Sequence, residues 1–337
     1  MAVQALILGC AGTTLSGEER ALFKEVEPWG LILFKRNVAD HAQLKRLIGE
    51  FRETVGRNDA PVLIDQEGGR VQRLGPPLWP AYPSAASFAR IGDPLLRRAA
   101  IRLGARLIAH ELRALGITVD CLPVLDIPVP GADAVISDRA YGTKPEEVAI
   151  GGRAAAEGLI AGGVLPVIKH MPGHGRATAD SHLALPRVSA ARDVLVTHDF
   201  APFRALSDMP LAMTAHVVFT AIDERHPATL SRRLFDEVIR GDIGYEGLVM
   251  TDDLSMKALS GSFAERARRA YAAGCDVVLH CNGVREEMEA VACAAKPLSG
   301  KSKQRAEAAL ARIRHAPEPF DSVDERAGFD ALLAGKC

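Results

Sequence analysis

Two segments of this 337-residue chain gather side chains that can move protons or attack an electrophile. The first, residues 167–186, carries Lys169, His170, His174, Arg176, Asp180 and His182. Pro172, Gly173 and Gly175 can set its turns, and a carboxylate two residues from an imidazole reaches it in many loop conformations. A carboxylate that accepts from one ring nitrogen fixes the tautomer and raises the basicity of the other nitrogen. That second nitrogen can give a proton and later take one back. The second segment, residues 247–256, is an apolar run that ends in Asp252 and Asp253. Neighbouring side chains of a strand point to opposite faces. Asp253, with Ser255, can cap the next segment, which leaves Asp252 to face a reaction site. Periodicity alone leaves that choice open.

These groups need a scaffold, and the rest of the chain supplies the pattern of one. Short apolar runs recur at 5–9, 30–34, 61–65, 118–126, 165–170, 211–216, 247–252 and 275–280. Segments of helical periodicity lie between them, at 41–55, 96–115, 145–161, 192–206 and 262–273. Glycines follow three of these at positions 116, 162 and 274, as a C-terminal cap predicts. Strands without polar alternation are buried on both faces, so the expected fold is a single-domain α/β (β/α)8 TIM-type barrel over residues 1–337. The segment beyond about residue 317 is expected to lie on the surface. In this fold the chemistry sits at the C-terminal strand ends. Here those ends are polar: Asp65, Asp126, Lys169 with His170, His216, Asp252 with Asp253, and His280. Together they predict a reactive barrel mouth.

Composition narrows the partners. With 48% hydrophobic residues, 25% charged residues and a net charge of −1, the chain can bury a large core. It carries no basic run that would suit nucleic acid or an anionic membrane, so a small-molecule ligand is expected. Cys10, Cys121, Cys275, Cys281, Cys293 and Cys337 are widely spaced and are expected to be buried, reduced thiols. Ile7-Leu8-Gly9-Cys10 is similar to a lipoprotein cleavage site, but no Lys or Arg precedes it and its apolar stretch is short. No stretch approaches the roughly 18 apolar residues of a membrane span. A cytoplasmic protein, monomeric and without a membrane span, is expected. The histidine spacings lack the tight Cys/His pairs or the helical His pair of zinc sites, so no metal is expected. Neither a glycine-rich dinucleotide fingerprint nor a P-loop is present, so no cofactor is expected.

Lys169-His-x-Pro-Gly-His-Gly175, Asp180-Ser-His182 and Thr251-Asp-Asp-Leu-Ser-Met256 resemble the signatures of family 3 glycoside hydrolases, specifically the single-domain bacterial β-N-acetylglucosaminidases of cell wall recycling. Ile64-Asp-Gln-Glu-Gly-Gly-Arg-Val-Gln-Arg73, Ser137-Asp-Arg-Ala-Tyr-Gly142, Met213-Thr-Ala-His216 and Pro227-Ala-Thr-Leu-Ser231 extend the likeness in the same order, from about residue 5 to residue 285. The resemblance implies that Asp252 is the nucleophile of a retaining reaction, His182 the acid/base and Asp180 its partner. It further implies that Asp65, Arg73, Arg139, Lys169 and His170 bind the sugar, with Asp65 accepting from its hydroxyls and Arg139, Lys169 and His170 donating to them. The implied substrate is an N-acetylglucosaminyl anhydromuropeptide. Histidine in place of a second carboxylate departs from the usual paired-carboxylate scheme, yet an imidazole titrates near neutral pH without burial. Met171 stands where the family often has an aromatic residue, and residues 176–179 lack its acidic pattern; both bear on loop closure more than on chemistry. Phosphorolysis in place of hydrolysis, a Schiff base at Lys169, and a catalytically silent sugar-binding barrel are the alternatives.

Overall fold

The computed structural model describes residues 2–335. Its centre is a closed barrel of eight strands. They are β1 Gln4–Leu8, β2 Pro28–Leu33, β3 Val62–Ile64, β4 Val119–Asp120, β5 Leu165–Met171, β6 Leu211–Thr214, β7 Leu248–Asp253 and β8 Val277–His280. Each strand lies parallel to its neighbours, and β1 closes the ring by pairing with β8, Leu6 opposite Val278. Every expected strand is present, so the (β/α)8 reading holds.

The absence of polar alternation has a direct cause. Ile7, Ile32, Leu63, Val119, Val167, Met213, Met250 and Leu279 fill the barrel interior. Their strand neighbours, among them Leu6, Leu8, Leu31, Leu33, Val62 and Ile64, pack under the surrounding helices. Both faces of each strand are therefore apolar. β4 is shorter than expected because Pro123 cannot donate to a ladder. The chain continues as irregular extended backbone, tied to β5 where the Leu125 N–H donates to the Lys169 carbonyl at 2.7 Å.

The helix over Pro94–Leu115 starts before its apolar period does, because Asp93 caps it by accepting from Leu95 and Leu96 N–H at 2.7 and 3.0 Å. Gly116 ends it at φ 92°. The helix expected over 192–206 is interrupted. An α-turn Arg192–Val194 passes into a π-helical Leu195–Asp199 before Ala201–Ala205 resumes, and Pro202 supplies no N–H to the preceding turn. The terminal segment does more than lie on the surface. It forms the helix Ser322–Leu333, whose Phe329 is buried against Gly104. Of the described cysteines, Cys10, Cys121, Cys275 and Cys281 are buried; Cys293, near the end of a surface helix, is exposed, against expectation. Cys337 lies outside the described residues. No helix among the described residues is long and apolar enough to cross a membrane.

Candidate active site

A cavity of about 370 Å³ opens at the C-terminal end of the barrel. Asp65, Arg73, Arg139, Lys169, His170, Asp180, His182 and Asp252 all line it. These residues come from four separate parts of the chain, and local structure explains how each arrives.

Asp65 leaves β3 into a hairpin, Gln66–Gly68 paired with Val71–Gln72. Gly68 and Gly69 make its turn at φ 92° and 58°, and a side chain on either would collide with the 82–84 backbone or Ser84. The Gln66 side chain closes the hairpin by accepting from Arg73 and Leu74 N–H, each at 3.0 Å. Arg73 is thereby folded back so that its Nη2 lies 3.0 Å from Asp65 Oδ2.

Lys169, near the end of β5, is almost wholly buried, with Nζ 2.9 Å from Asp65 Oδ1 and 2.7 Å from Glu67 Oε1. Glu67 also grips Arg139 through two bonds of 2.8 Å. Burial pushes the Asp65 carboxyl up, but Lys169 and Arg73 more than offset it and hold the group well below the ordinary carboxylate range. Burial likewise pulls Lys169 down, and Asp65 with Glu67 overrides it, so the amine is raised and stays an ammonium. A Schiff-base lysine needs a free amine; this one is held as a cation between two carboxylates.

His170 gives Nδ1 to Asp126 Oδ2 at 2.7 Å. The other Asp126 oxygen accepts the His174 N–H at 2.6 Å. With Nδ1–H spent, His170 turns Nε2 toward the cavity, an acceptor when neutral and a donor when protonated. Both Lys169 and His170 line the cavity although consecutive strand residues ordinarily diverge; the β5–β6 register shifts between Ile168 and Met171.

Asp252, next to last in β7, lines the cavity. One carboxylate oxygen accepts the Asp253 N–H at 2.8 Å, and among the described residues nothing bonds the other. Burial pushes this carboxyl up, while His170, His216 and the Asp253 N–H outweigh that effect and leave it below its ordinary value. Asp252 is thus an anion with a free oxygen at neutral pH. Asp253 is occupied as expected, accepting from Ser255 N–H at 2.9 Å and Cys281 N–H at 3.2 Å. It still borders the cavity, because the β7–β8 register shifts before it.

The Asp180–His182 pair forms in the loop after β5, with Nδ1 to Oδ1 at 2.7 Å. The His182 side chain is 61% exposed, and its Nε2 is unbonded among the described residues. Burial pushes the Asp180 carboxyl up, and the His182 backbone and ring together outweigh it and bring the group below its ordinary value. A carboxylate with one free oxygen at a strand end therefore shares one cavity with an oriented imidazole on a loop.

Not every polar strand end reaches the mouth. His216 spends both ring nitrogens beside β7, on Thr229 Oγ1 at 2.7 Å and the Asp253 carbonyl at 3.0 Å. His280 is buried edge-on against Phe263, away from the cavity. Asp126 acts on the cavity through His170 rather than lining it.

The profile of the glycosyl hydrolase family 3 N terminal domain matches residues 4–316. The chain belongs to glycosyl hydrolase family 3. A beta-hexosaminidase of Alkalilimnicola ehrlichii is 40% identical over 97% of this chain and 88% of its own length. The structure of NagZ from Neisseria gonorrhoeae in complex with N-trifluoroacetyl-D-glucosamine superposes with a TM-score of 0.84 at 32% identity, covering 99% of this chain and 97% of that one. A family 3 beta-N-acetylglucosaminidase from Paenibacillus sp. gives 0.84 at 33% identity, covering 98% of this chain and 67% of that one. The chain is a glycoside hydrolase.

Within this family 3 site, two residues have roles that the sequence does not reveal. Glu67 stands two residues after Asp65, and nothing local marks it as the bridge between Lys169 and Arg139. Asp126 was visible as a polar strand end, but its turn toward His170 rather than the cavity depends on how the irregular backbone after β4 packs on β5, which periodicity does not specify.

Proposed function

We propose that this glycoside hydrolase, of the β-N-acetylhexosaminidase type, is a retaining exo-β-N-acetylglucosaminidase. It removes the non-reducing terminal N-acetylglucosamine from anhydromuropeptides in the cytoplasm, during peptidoglycan recycling. The observation that carries the reading is the anionic Asp252, with a free oxygen, facing the same cavity as the Asp180-bound His182.

In the first step the free Asp252 oxygen attacks the anomeric carbon, and protonated His182 gives its Nε2 proton to the departing glycosidic oxygen. Asp180 stabilises the imidazolium before transfer and holds the ring afterwards. In the second step His182 takes a proton from water, the hydroxide adds to the anomeric carbon, and the Asp252 carboxylate leaves. Asp65, Arg73, Arg139, Lys169 and His170 hold the sugar. Asp65 keeps lone pairs for hydroxyls while Lys169 and Arg139 keep one or more N–H groups beyond those given to carboxylates. Two displacements at one carbon retain its configuration.

Nuclear magnetic resonance of the first-formed sugar tests this reading. The β-anomer of free N-acetylglucosamine is expected in phosphate buffer; first appearance of the α-anomer would overturn retention, and a sugar 1-phosphate would overturn hydrolysis.

A further inference from the structure

The imidazole assigned to proton transfer sits on the least enclosed part of the site. The loop is held at its base by Arg176, whose Nε lies 2.7 Å from Asp199 Oδ2, and by the Ala177 carbonyl, which accepts the Asp133 N–H at 2.8 Å. It is held again at its far end, where the Pro186 carbonyl accepts the Val218 N–H at 3.0 Å. Between Thr178 and Leu185 a single residue is buried, and it is Ser181, at 3% exposure.

Ser181 lies between Asp180 and His182 in sequence and makes three contacts beneath them. Its hydroxyl lies 3.3 Å from His174 Nε2 and donates toward Met256 Sδ at 3.8 Å. Its carbonyl accepts the Ala258 N–H at 3.2 Å. Met256 and Ala258 belong to the turn that leaves β7 directly after Asp252 and Asp253, and the Met256 N–H is itself tied to the Asp253 carbonyl at 3.2 Å. His174, on the other side, is fixed by its N–H to Asp126. The contacts join the exposed loop to the buried His174 and Ala258 and to the half-buried Met256.

Resting on the proposed function, we infer that Ser181 is a positioning residue, a latch whose seat on His174 and on the Met256–Ala258 turn sets the reach of His182 toward the bond broken at Asp252. A loop pinned at its ends alone leaves several residues free to rotate, and an acid displaced by about 1 Å can lose about 10²-fold in rate. The latch shortens that free span to the residues that bear Asp180 and His182. The His174 ring holds Ser181 through Nε2, the nitrogen that a glutamine side chain reproduces at similar reach and an alanine does not.

The test compares Ser181→Ala, His174→Ala and His174→Gln with the wild type. Substrates are aryl N-acetyl-β-glucosaminides with good and poor leaving groups, alongside amide hydrogen exchange over residues 178–186. A misplaced acid harms the substrates that need protonation. Ser181→Ala and His174→Ala are expected to lose about tenfold or more in kcat/KM with poor leaving groups and less than about threefold with good ones. Both are expected to exchange faster in the loop, and His174→Gln to restore most of each property. Equal losses on both substrate classes, or unchanged exchange, would overturn the latch. If the wild type cleaves no aryl N-acetylglucosaminide, the proposed function fails while the exchange comparison still decides whether Ser181 anchors the loop.

Discussion

His182 Nδ1 stands 2.7 Å from Asp180 Oδ1, and that same oxygen accepts the backbone N–H of His182 at 2.9 Å. One carboxylate thus fixes both the position and the tautomer of the ring. The second effect bears on chemistry, because it leaves Nε2 free for transfer. Asp180→Ala is expected to lower kcat/KM about 10²-fold for substrates with poor leaving groups and far less for activated aryl glycosides. Steady-state kinetics across a series of leaving groups checks this; a loss independent of the leaving group would count against it.

Asp126→Asn separates orientation from folding. The amide oxygen can still accept the His174 N–H, but its NH₂ faces His170 Nδ1 and favours the tautomer that carries hydrogen on Nε2. The fold should survive while sugar binding weakens, seen as a KM raised about tenfold with a smaller change in kcat.

The Asp65 network has a pH signature. Its folded pKa lies below the unfolded value, so it contributes stability above about pH 4, and that contribution is lost as pH falls through the folded pKa. Asp65→Asn should therefore destabilise the protein at pH 7, and the gap in melting temperature from wild type should close as pH falls below about 4. A gap that is constant with pH would exclude the ionic origin.

Phe329 tests whether the terminal helix belongs to the fold. It is 1% exposed and packs against Gly104. Phe329→Ala should cost about 3 kcal/mol by chemical denaturation, with the cavity residues and kcat unchanged.

The barrel was legible because burial on both faces writes itself into each strand as an unbroken apolar run. Asp252 and the Asp180–His182 pair were legible because they are local, within two residues of a partner or at the end of one strand. What depended on neighbouring strands was not. His216 and His280 read like mouth residues, yet the first is spent on Thr229 and the second on Phe263. Glu67 had no role assigned from the sequence, yet it holds both Lys169 and Arg139. The break in the 192–206 helix followed from Pro202, visible in the sequence but outweighed there by the apolar period. The terminal helix has a weak apolar stripe, and it docks through partners far away in sequence, Phe329 against Gly104 and Arg326 on Glu111 and Tyr82.

The assignment of Asp252 as nucleophile stands at the centre of the mechanism, and the turnover of an aryl N-acetyl-β-glucosaminide by Asp252→Asn tests it most directly. Asparagine keeps the size and the acceptor for the Asp253 N–H but has no anionic oxygen to attack with. A loss in kcat of about 10³-fold or more is predicted, with the fold intact by circular dichroism. Turnover near the wild-type rate would contradict the account.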